Sequence, residues 1–197
     1  MKTKSIFAML TALVAMIAFA GTAQAACSTD GAKQAFSQWG DQRNYVLAPD
    51  GGFEAGAEGW DLDGARVVGG NESYYLNSPD DRRSLALPAG SSAGSPPVCM
   101  DIGTPSFRMV ARNTGDPTSK LRVTATYKLL GLVRTQTFGT VTAGSEWTPT
   151  ASQSTVLTLS TIIGTLIPSA IEIRVTPLDS KGNWQVDDLF IDPFARR

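Results

Sequence analysis

The sequence lacks histidine altogether and contains only two cysteines among its 197 residues. Without histidine, the chain has neither the commonest general base nor the commonest transition-metal ligand of proteins. The acidic pairs that remain, such as Asp61 with Asp63 and Asp80 with Asp81, fall in turn or strand-end contexts. Solvated or capping roles are ordinary for carboxylates in such places. The sequence therefore predicts a protein that is not an enzyme.

Long apolar runs are also scarce, and the longest one lies at the N-terminus. Lys2 and Lys4 precede an apolar run over residues 6–20, and residues 23–25 (AQA) form an A-x-A cleavage site. These features are typical of a secretory signal peptide, and the run is too short and too rich in small residues for a membrane span. We therefore expect a signal peptide at 1–25, no membrane span in the mature chain, and a secreted, extracellular protein.

Cleavage after residue 25 leaves 172 residues, enough for one domain with a sizeable core. The net charge is −1 for the whole chain and −3 once the two leader lysines are removed. This slightly acidic balance argues against nucleic acid or an anionic membrane as the partner. A lipoprotein is the alternative, because Cys27 follows the leader closely, although residues 24–26 lack the apolar residue that lipidation normally requires.

The two cysteines favour a disulfide, because an oxidising compartment promotes pairing and only one pairing is available. A Cys27–Cys99 bond would fix an extended N-terminal arm, residues 26–45, onto the sheet that carries Cys99. Two free thiols are the alternative. Neither state gives the cysteines a catalytic role, because the sequence offers no evident partner base.

Apolar and polar residues alternate along much of the chain, which is typical of strands with one buried and one exposed face. The clearest segments are residues 107–112, 121–129 and 171–176. Shorter candidate strands are residues 65–68, 73–76, 84–87, 98–102, 132–138, 155–159 and 184–191. Turn-forming clusters separate them, and the apolar stretch 162–167 fits either a loop or a single helical turn. Roughly ten short strands without a long helix predict an all-β fold, a two-sheet antiparallel β-sandwich.

Two motifs stand at opposite ends of this domain, residues 50–60 (DGGFEAGAEGW) and residues 184–189 (WQVDDL). A third segment, residues 142–150 (TAGSEWTPT), lies between them. Their order and spacing resemble secreted β-jelly-roll domains of the galactose-binding-like superfamily, which includes many non-catalytic carbohydrate-binding modules. The resemblance covers most of the mature chain and implies a jelly roll over residues 46–194, preceded by the arm.

In similar carbohydrate-binding modules, a glutamate at the position of Glu54 and an aspartate in the last strand help to bind a structural calcium ion. The resemblance therefore implies Glu54 and Asp187 as calcium ligands, with Asp188 and Asp50 as supplementary ones. Several carboxylate and carbonyl oxygens are what such a hard cation requires. The structural alternative is that Glu54 pairs with an arginine and that the aspartates accept backbone N–H bonds.

A glycan site needs exposed aromatic side chains, because sugar rings present C–H faces that stack on aromatic rings. Tyr74, Tyr75 and Trp147 are the candidate ligand-binding residues, with core packing as the alternative for each. Since Tyr74 and Tyr75 are adjacent on a predicted strand, one should face inward and the other outward. The resemblance implies a secreted binding module for carbohydrate or a cell-surface glycan. The alternative is a structural or protein-interaction domain of the cell envelope that binds no sugar.

Overall fold

The computed structural model describes residues 27–99, 106–129, 132–154 and 170–192. Several sequence predictions lie outside the described residues, namely the signal peptide at 1–25, the strand at 155–159, the apolar stretch 162–167 and the last part of the strand at 98–102. Within the part of the chain that is described, no helix is long and apolar enough to cross a membrane.

The described residues form short strands joined by turns, with one 3-10 turn at Ser37–Trp39. The strands are β1 (Val46–Leu47), β2 (Asp61–Asp63), β3 (Arg66–Gly69), β4 (Arg83–Pro88), β5 (Ser92–Gly94), β6 (Val98–Cys99), β7 (Ser106–Asn113), β8 (Leu121–Leu129), β9 (Leu132–Val141), β10 (Thr148–Pro149), β11 (Gln153–Ser154), β12 (Ala170–Pro177) and β13 (Asn183–Asp192). The strand predicted at 73–76 is absent, because those residues form turns in the loop between β3 and β4. That prediction was wrong.

The strands form two antiparallel sheets. The seven-stranded sheet has the order β10–β7–β13–β4–β3, with β1 paired to β13 and β11 paired to β7. The six-stranded sheet has the order β2–β5–β12–β8–β9, with β6 paired to β12. This arrangement confirms the predicted all-β, two-sheet sandwich of the jelly-roll kind.

The core lies between the sheets and is built from the alternation seen in the sequence. Along β8, Leu121, Val123 and Ala125 are fully buried, while the residues between them face outward. In the facing sheet, Trp184 and Phe107 contribute large rings with no exposed surface. Burial of such apolar side chains contributes roughly 1.5–3 kcal/mol each, so the period of two largely determines which face of each strand points inward.

The two terminal motifs meet in space, because the N–H of Leu189 donates to the carbonyl oxygen of Gly51 at 3.0 Å. Beside them, β1 pairs with β13 through Val46 opposite Ile191. Phe53 of the first motif is buried, and its ring centroid lies 4.9 Å from that of Trp60. Gly51 is required here, since a Cβ atom at this position would lie only 2.8 Å from the carbonyl oxygen of Leu189. The first motif thus closes directly against the last strand.

The N-terminal arm is held at two points. The predicted disulfide between Cys27 and Cys99 is present, with a Cα–Cα distance of 5.5 Å, and joins the arm to the six-stranded sheet. On the other sheet, Phe36 and Tyr45 of the arm bury their rings against Phe190 of β13. The arm therefore links both sheets at one edge of the sandwich.

Candidate functional site

The arm and the loop between β3 and β4 cover part of the outer face of the seven-stranded sheet, the face turned away from the core. Leu76 of the loop packs against the aromatic cluster of the arm. Lys33 of the arm donates from Nζ to the carbonyl oxygens of Leu76 and Asn77, at 2.7 and 3.0 Å. Together the two segments remove polar groups of β13 from solvent.

Four carboxylates are buried where this loop meets β13, those of Glu72, Asp81, Asp187 and Asp188. Backbone N–H groups of the loop donate to Glu72, Asp81 and Asp188, and the N–H of Glu72 donates to Asp187. Asp188 Oδ1 is buried and has no hydrogen-bond partner among the described residues. Gly52 lies beside it, since a Cβ at that glycine would be 3.2 Å from this oxygen.

This crowding raises two pKa values. Burial, followed by the charge of Asp188, raises the pKa of Asp187 to about 9. Burial, followed by the charges of Glu72 and Asp81, raises the pKa of Asp188 to about 7, although Lys33 opposes this effect. Neither aspartate forms an ion pair with a basic residue in the described ranges. Ionising both groups is therefore unfavourable in the folded protein.

Stability in the presence of chelator should fall as the pH rises through this range. The unfolded chain releases these protons near pH 3.8, the ordinary pKa of an aspartate, whereas the folded chain keeps the proton of Asp188 up to about pH 7 and that of Asp187 up to about pH 9. The contribution of the two aspartates to the free energy of unfolding is therefore fully present at acid pH and is lost between about pH 4 and pH 9. Asp188→Asn should raise the melting temperature at about pH 8 by several degrees, because it removes a buried charge that is repelled by Glu72 and Asp81.

Thermal melting from mildly acid to alkaline pH measures this effect, and Asp80→Asn, an exposed change in the same loop, is the matched control. Asparagine also tolerates the positive φ of 50° that position 188 adopts at a β-bulge. A flat pH profile for the wild-type protein, or an Asp188→Asn variant less stable at every pH in chelator, would contradict the prediction.

The structure divides the predicted calcium ligands between two places. Glu54 Oε1 accepts the backbone N–H groups of Arg82 and Arg83, at 2.8 and 2.7 Å. Asp50 accepts two backbone N–H groups of its own turn, whereas Asp187 and Asp188 belong to the buried carboxylate cluster. Among the described residues, no three acidic side chains are arranged to share one metal ion.

The predicted ligand-binding aromatics are brought together. Tyr74 donates its hydroxyl to the carbonyl oxygen of Trp147 at 2.8 Å, and its ring centroid lies 4.9 Å from that of Trp39. Trp39, Tyr74 and Tyr75 are exposed by 36%, 38% and 48%, whereas Trp147 is buried. Because residues 73–76 form turns, both tyrosines reach the surface, which corrects the expectation that one would face inward. Trp39, Tyr74 and Tyr75 are called the aromatic patch below.

Next to the aromatic patch, one row of residues crosses the uncovered part of the outer face. Register places Arg66 opposite Ala86, Ala86 opposite Gln185, and Gln185 opposite Arg112. Arg112 Nε donates to Gln185 Oε1 at 2.7 Å, and its guanidinium carbon lies 4.6 Å from the ring centroid of Trp147. These five residues, Arg66, Ala86, Gln185, Arg112 and Trp147, are called the arginine row below.

The outer face of the six-stranded sheet is different in character. Arg174 forms ion pairs there with Asp61 and Glu172 and donates to Ser92 Oγ. The exposed large aromatic residues of the described ranges all belong to the aromatic patch, so none lies on this face. Arg174 is therefore neutralised on this face, whereas the exposed Arg122 and Arg134 form no ion pair with an acidic residue in the described ranges, and the face offers no platform for stacking.

Residues 90–94 (GSSAG) match the spacing of the serine-hydrolase nucleophile elbow. That elbow requires a turn from a strand into a helix, whereas residues 90–91 belong to the turn after β4 and residues 92–94 form the strand β5. Ser92 Oγ accepts a hydrogen bond from Arg174, and the chain has no histidine to act as its base. The motif therefore has the spacing of an elbow without its structural context.

No protein-family model matches this chain, and no curated protein is similar to it in sequence. Solved structures do match in fold. The CBM22-1 and GH10 modules of the endo-1,4-beta-D-xylanase 10B from Clostridium thermocellum, complexed with xylohexaose, align with TM-score 0.53 and 15% identity, over 76% of this chain and 29% of that one.

Two further structures align about as well. The tandem CBM22-1–CBM22-2 domain of Xyn10C from Paenibacillus barcinonensis has TM-score 0.51 and 13% identity, over 76% of this chain and 46% of that one. The enzymatically active domain of tailspike protein 4 from bacteriophage CBA120 has TM-score 0.53 and 12% identity, over 75% of this chain and 21% of that one. The chain spans less than half the length of each of these three structures. In fold, the chain is similar to the β-sandwich carbohydrate-binding modules.

Proposed function

We propose that this protein is a secreted, non-catalytic carbohydrate-binding module. The observation that carries the proposal is the aromatic patch, three exposed rings beside a row of polar side chains on one sheet. Exposed rings provide stacking surfaces for pyranose C–H faces, and neighbouring polar groups can orient the sugar hydroxyls. The fold similarity to modules of xylan-degrading enzymes supports the same proposal.

The rings are held in fixed positions, which favours binding. Tyr74 is fixed by its hydrogen bond to the Trp147 carbonyl and by its edge contact with Trp39. Trp147 is itself packed against Arg112. A rigid aromatic surface loses little conformational entropy when a ligand binds, so more of the stacking energy appears as affinity.

Tyr74→Ala should reduce the affinity for a bound polysaccharide about tenfold or more, because it removes the stacking ring at the centre of the patch. Affinity gel electrophoresis of the mature, oxidised protein against xylan, β-1,4-galactan and polygalacturonate measures the effect. Tyr74→Phe keeps the ring and should bind nearly as well as the wild type. Leu178→Ala, which removes an exposed apolar group elsewhere, is the matched control.

Two results would contradict this proposal. One is the absence of retardation by every polysaccharide tested, and the other is wild-type retardation of a correctly folded Tyr74→Ala variant. The protein-interaction alternative requires a contiguous exposed apolar patch. The exposed aliphatic side chains in the described ranges are instead separated, because Leu132 and Val133 lie at one end of the β8–β9 hairpin and Leu178 lies at the other.

We also propose that calcium binds beside β13 and stabilises the fold. Asp188 Oδ1 supports this proposal, because it is a buried carboxylate oxygen without a hydrogen-bond partner among the described residues, and such an oxygen is suited to a hard cation. Since no three acidic side chains of the described residues are arranged to share one metal ion, carbonyl oxygens and water would supply the remaining ligands. Millimolar calcium should raise the melting temperature of the wild type by mass action and should not raise that of Asp188→Asn. A wild-type melting temperature that is equal in calcium and in chelator would exclude the site.

A further inference from the structure

The arginine row carries positive charge without a compensating carboxylate. Arg66 is exposed and Arg112 is half-buried, and neither forms an ion pair with an acidic residue in the described ranges. On the other sheet, Arg174 is paired with Asp61 and Glu172, whereas the exposed Arg122 is unpaired in the described ranges. The arginine row differs from Arg122 in that one of its guanidinium groups is fixed in position. Asp187 and Asp188 of β13 do not pair with the row, because they are buried under the loop between β3 and β4.

Arg112 is held ready to bind an anion. Its Nε donates to Gln185 and its guanidinium lies against the ring of Trp147, so the plane of the group is fixed at two points. Neither Nη atom has a hydrogen-bond partner among the described residues. With Nε engaged, the planar guanidinium keeps one free edge, formed by its two Nη atoms, and this edge suits the two oxygens of a carboxylate better than a neutral hydroxyl group.

We infer that the arginine row binds carboxylate-bearing units of an acidic polysaccharide, while the aromatic patch stacks the sugar rings. This inference rests on the proposed carbohydrate-binding function and specifies its ligand class. Arg66 and Arg112 are separated by three strand spacings, about 14 Å between backbones, so they would contact different residues of one extended chain. The exposed Glu146 next to Trp147 is the nearest acidic residue in sequence to this surface.

Binding to polygalacturonate, compared with neutral β-1,4-galactan and xylan at low and high salt, tests this inference. We expect polygalacturonate to bind most tightly and its affinity to fall as salt screens the charges. Arg112→Gln should weaken this binding about tenfold or more, and Arg66→Gln should weaken it by less. Arg122→Gln, an identical charge change on the exposed face of the other sheet, should leave it unchanged.

The outcomes separate this inference from the proposed function. Equal or tighter binding of the neutral polymers, still abolished by Tyr74→Ala, would overturn the acidic ligand class and leave carbohydrate binding standing. Wild-type affinity of a folded Arg112→Gln variant for polygalacturonate would also overturn it. Failure to bind any of the polymers would overturn the proposed function, and the ligand class with it.

Discussion

Replacing Asp41 with alanine should lower the free energy of unfolding by about 3–5 kcal/mol, the usual cost of leaving one member of a buried ion pair without its partner. Asp41 Oδ2 lies 3.0 Å from Nη1 of Arg108, and both side chains are largely buried. The same carboxylate accepts the hydroxyl of Tyr45 at 2.8 Å. Arg108 also stacks on Phe36, so one substitution loosens the whole contact between arm and sheet.

Arg43→Ala is the matched control for Asp41→Ala. Arg43 pairs with the same carboxylate, but its side chain is 38% exposed, and exposed pairs contribute only about 0–1 kcal/mol. Urea unfolding of the two variants should therefore give clearly different midpoints with similar slopes. Equal losses of unfolding free energy in the two variants would show that the Asp41–Arg108 ion pair stabilises the protein no more than the exposed Asp41–Arg43 pair does.

Asp41 also defines how the protein responds to acid. Burial alone would raise the pKa of Asp41. Hydrogen bonds from Arg43, Tyr45 and Arg108 outweigh this effect and hold the pKa well below its usual range. The stability that it contributes is present above about pH 4 and is lost as the pH falls toward the folded value. Asp187 and Asp188 act in the opposite direction at higher pH. We therefore expect maximum stability at mildly acid pH when no cation is bound.

Removing the disulfide, through Cys27→Ser together with Cys99→Ser, should cost about 4 kcal/mol by the chain-entropy relation for a loop of this length. The bond spans 72 residues, so it strongly restricts the unfolded chain. It also anchors the start of the arm, because residues 28–32 form only local turns before the bridge between Lys33 and Tyr45. Much of the loss should therefore appear as early release of the arm.

Thermal melting with and without reductant measures this effect in the wild-type protein, and the serine variant should be insensitive to reductant. Combining the serine changes with Asp41→Ala should cost less than the sum of the separate losses, because all of them release the same arm. Unchanged melting of the wild type after complete reduction would contradict the prediction.

The sandwich could be predicted from the sequence because its cause is local. Alternation along residues 107–112, 121–129 and 171–176 fixes the inward face of β7, β8 and β12, and their bounds agree with the structure within a few residues. The terminal motifs also correctly indicated that the first and last strands meet. These features depend on side-chain period and on turn chemistry, both of which can be read directly from a sequence.

Of the four buried carboxylates, the sequence gives a signal for two and none for the other two. Asp187 and Asp188 interrupt an apolar strand, which is a visible signal. Glu72 and Asp81 lie among turn-forming residues that normally remain solvated, and only the tertiary placement of the loop over β13 buries them. The same loop geometry turns Tyr75 outward, with a φ of 53° that no pattern of hydrophobicity reveals.

The pairing of β1 with β13 has a consequence for synthesis on the ribosome. β13 lies between β7 and β4 and also pairs with β1, so the seven-stranded sheet lacks its central member until residues 183–192 have been made. Until then, the edges of β4 and β7 have no partner between them, and such edges can pair with other nascent chains. The seven-stranded sheet therefore cannot be completed before residues 183–192 are available, and the time before β13 inserts is when aggregation competes most strongly.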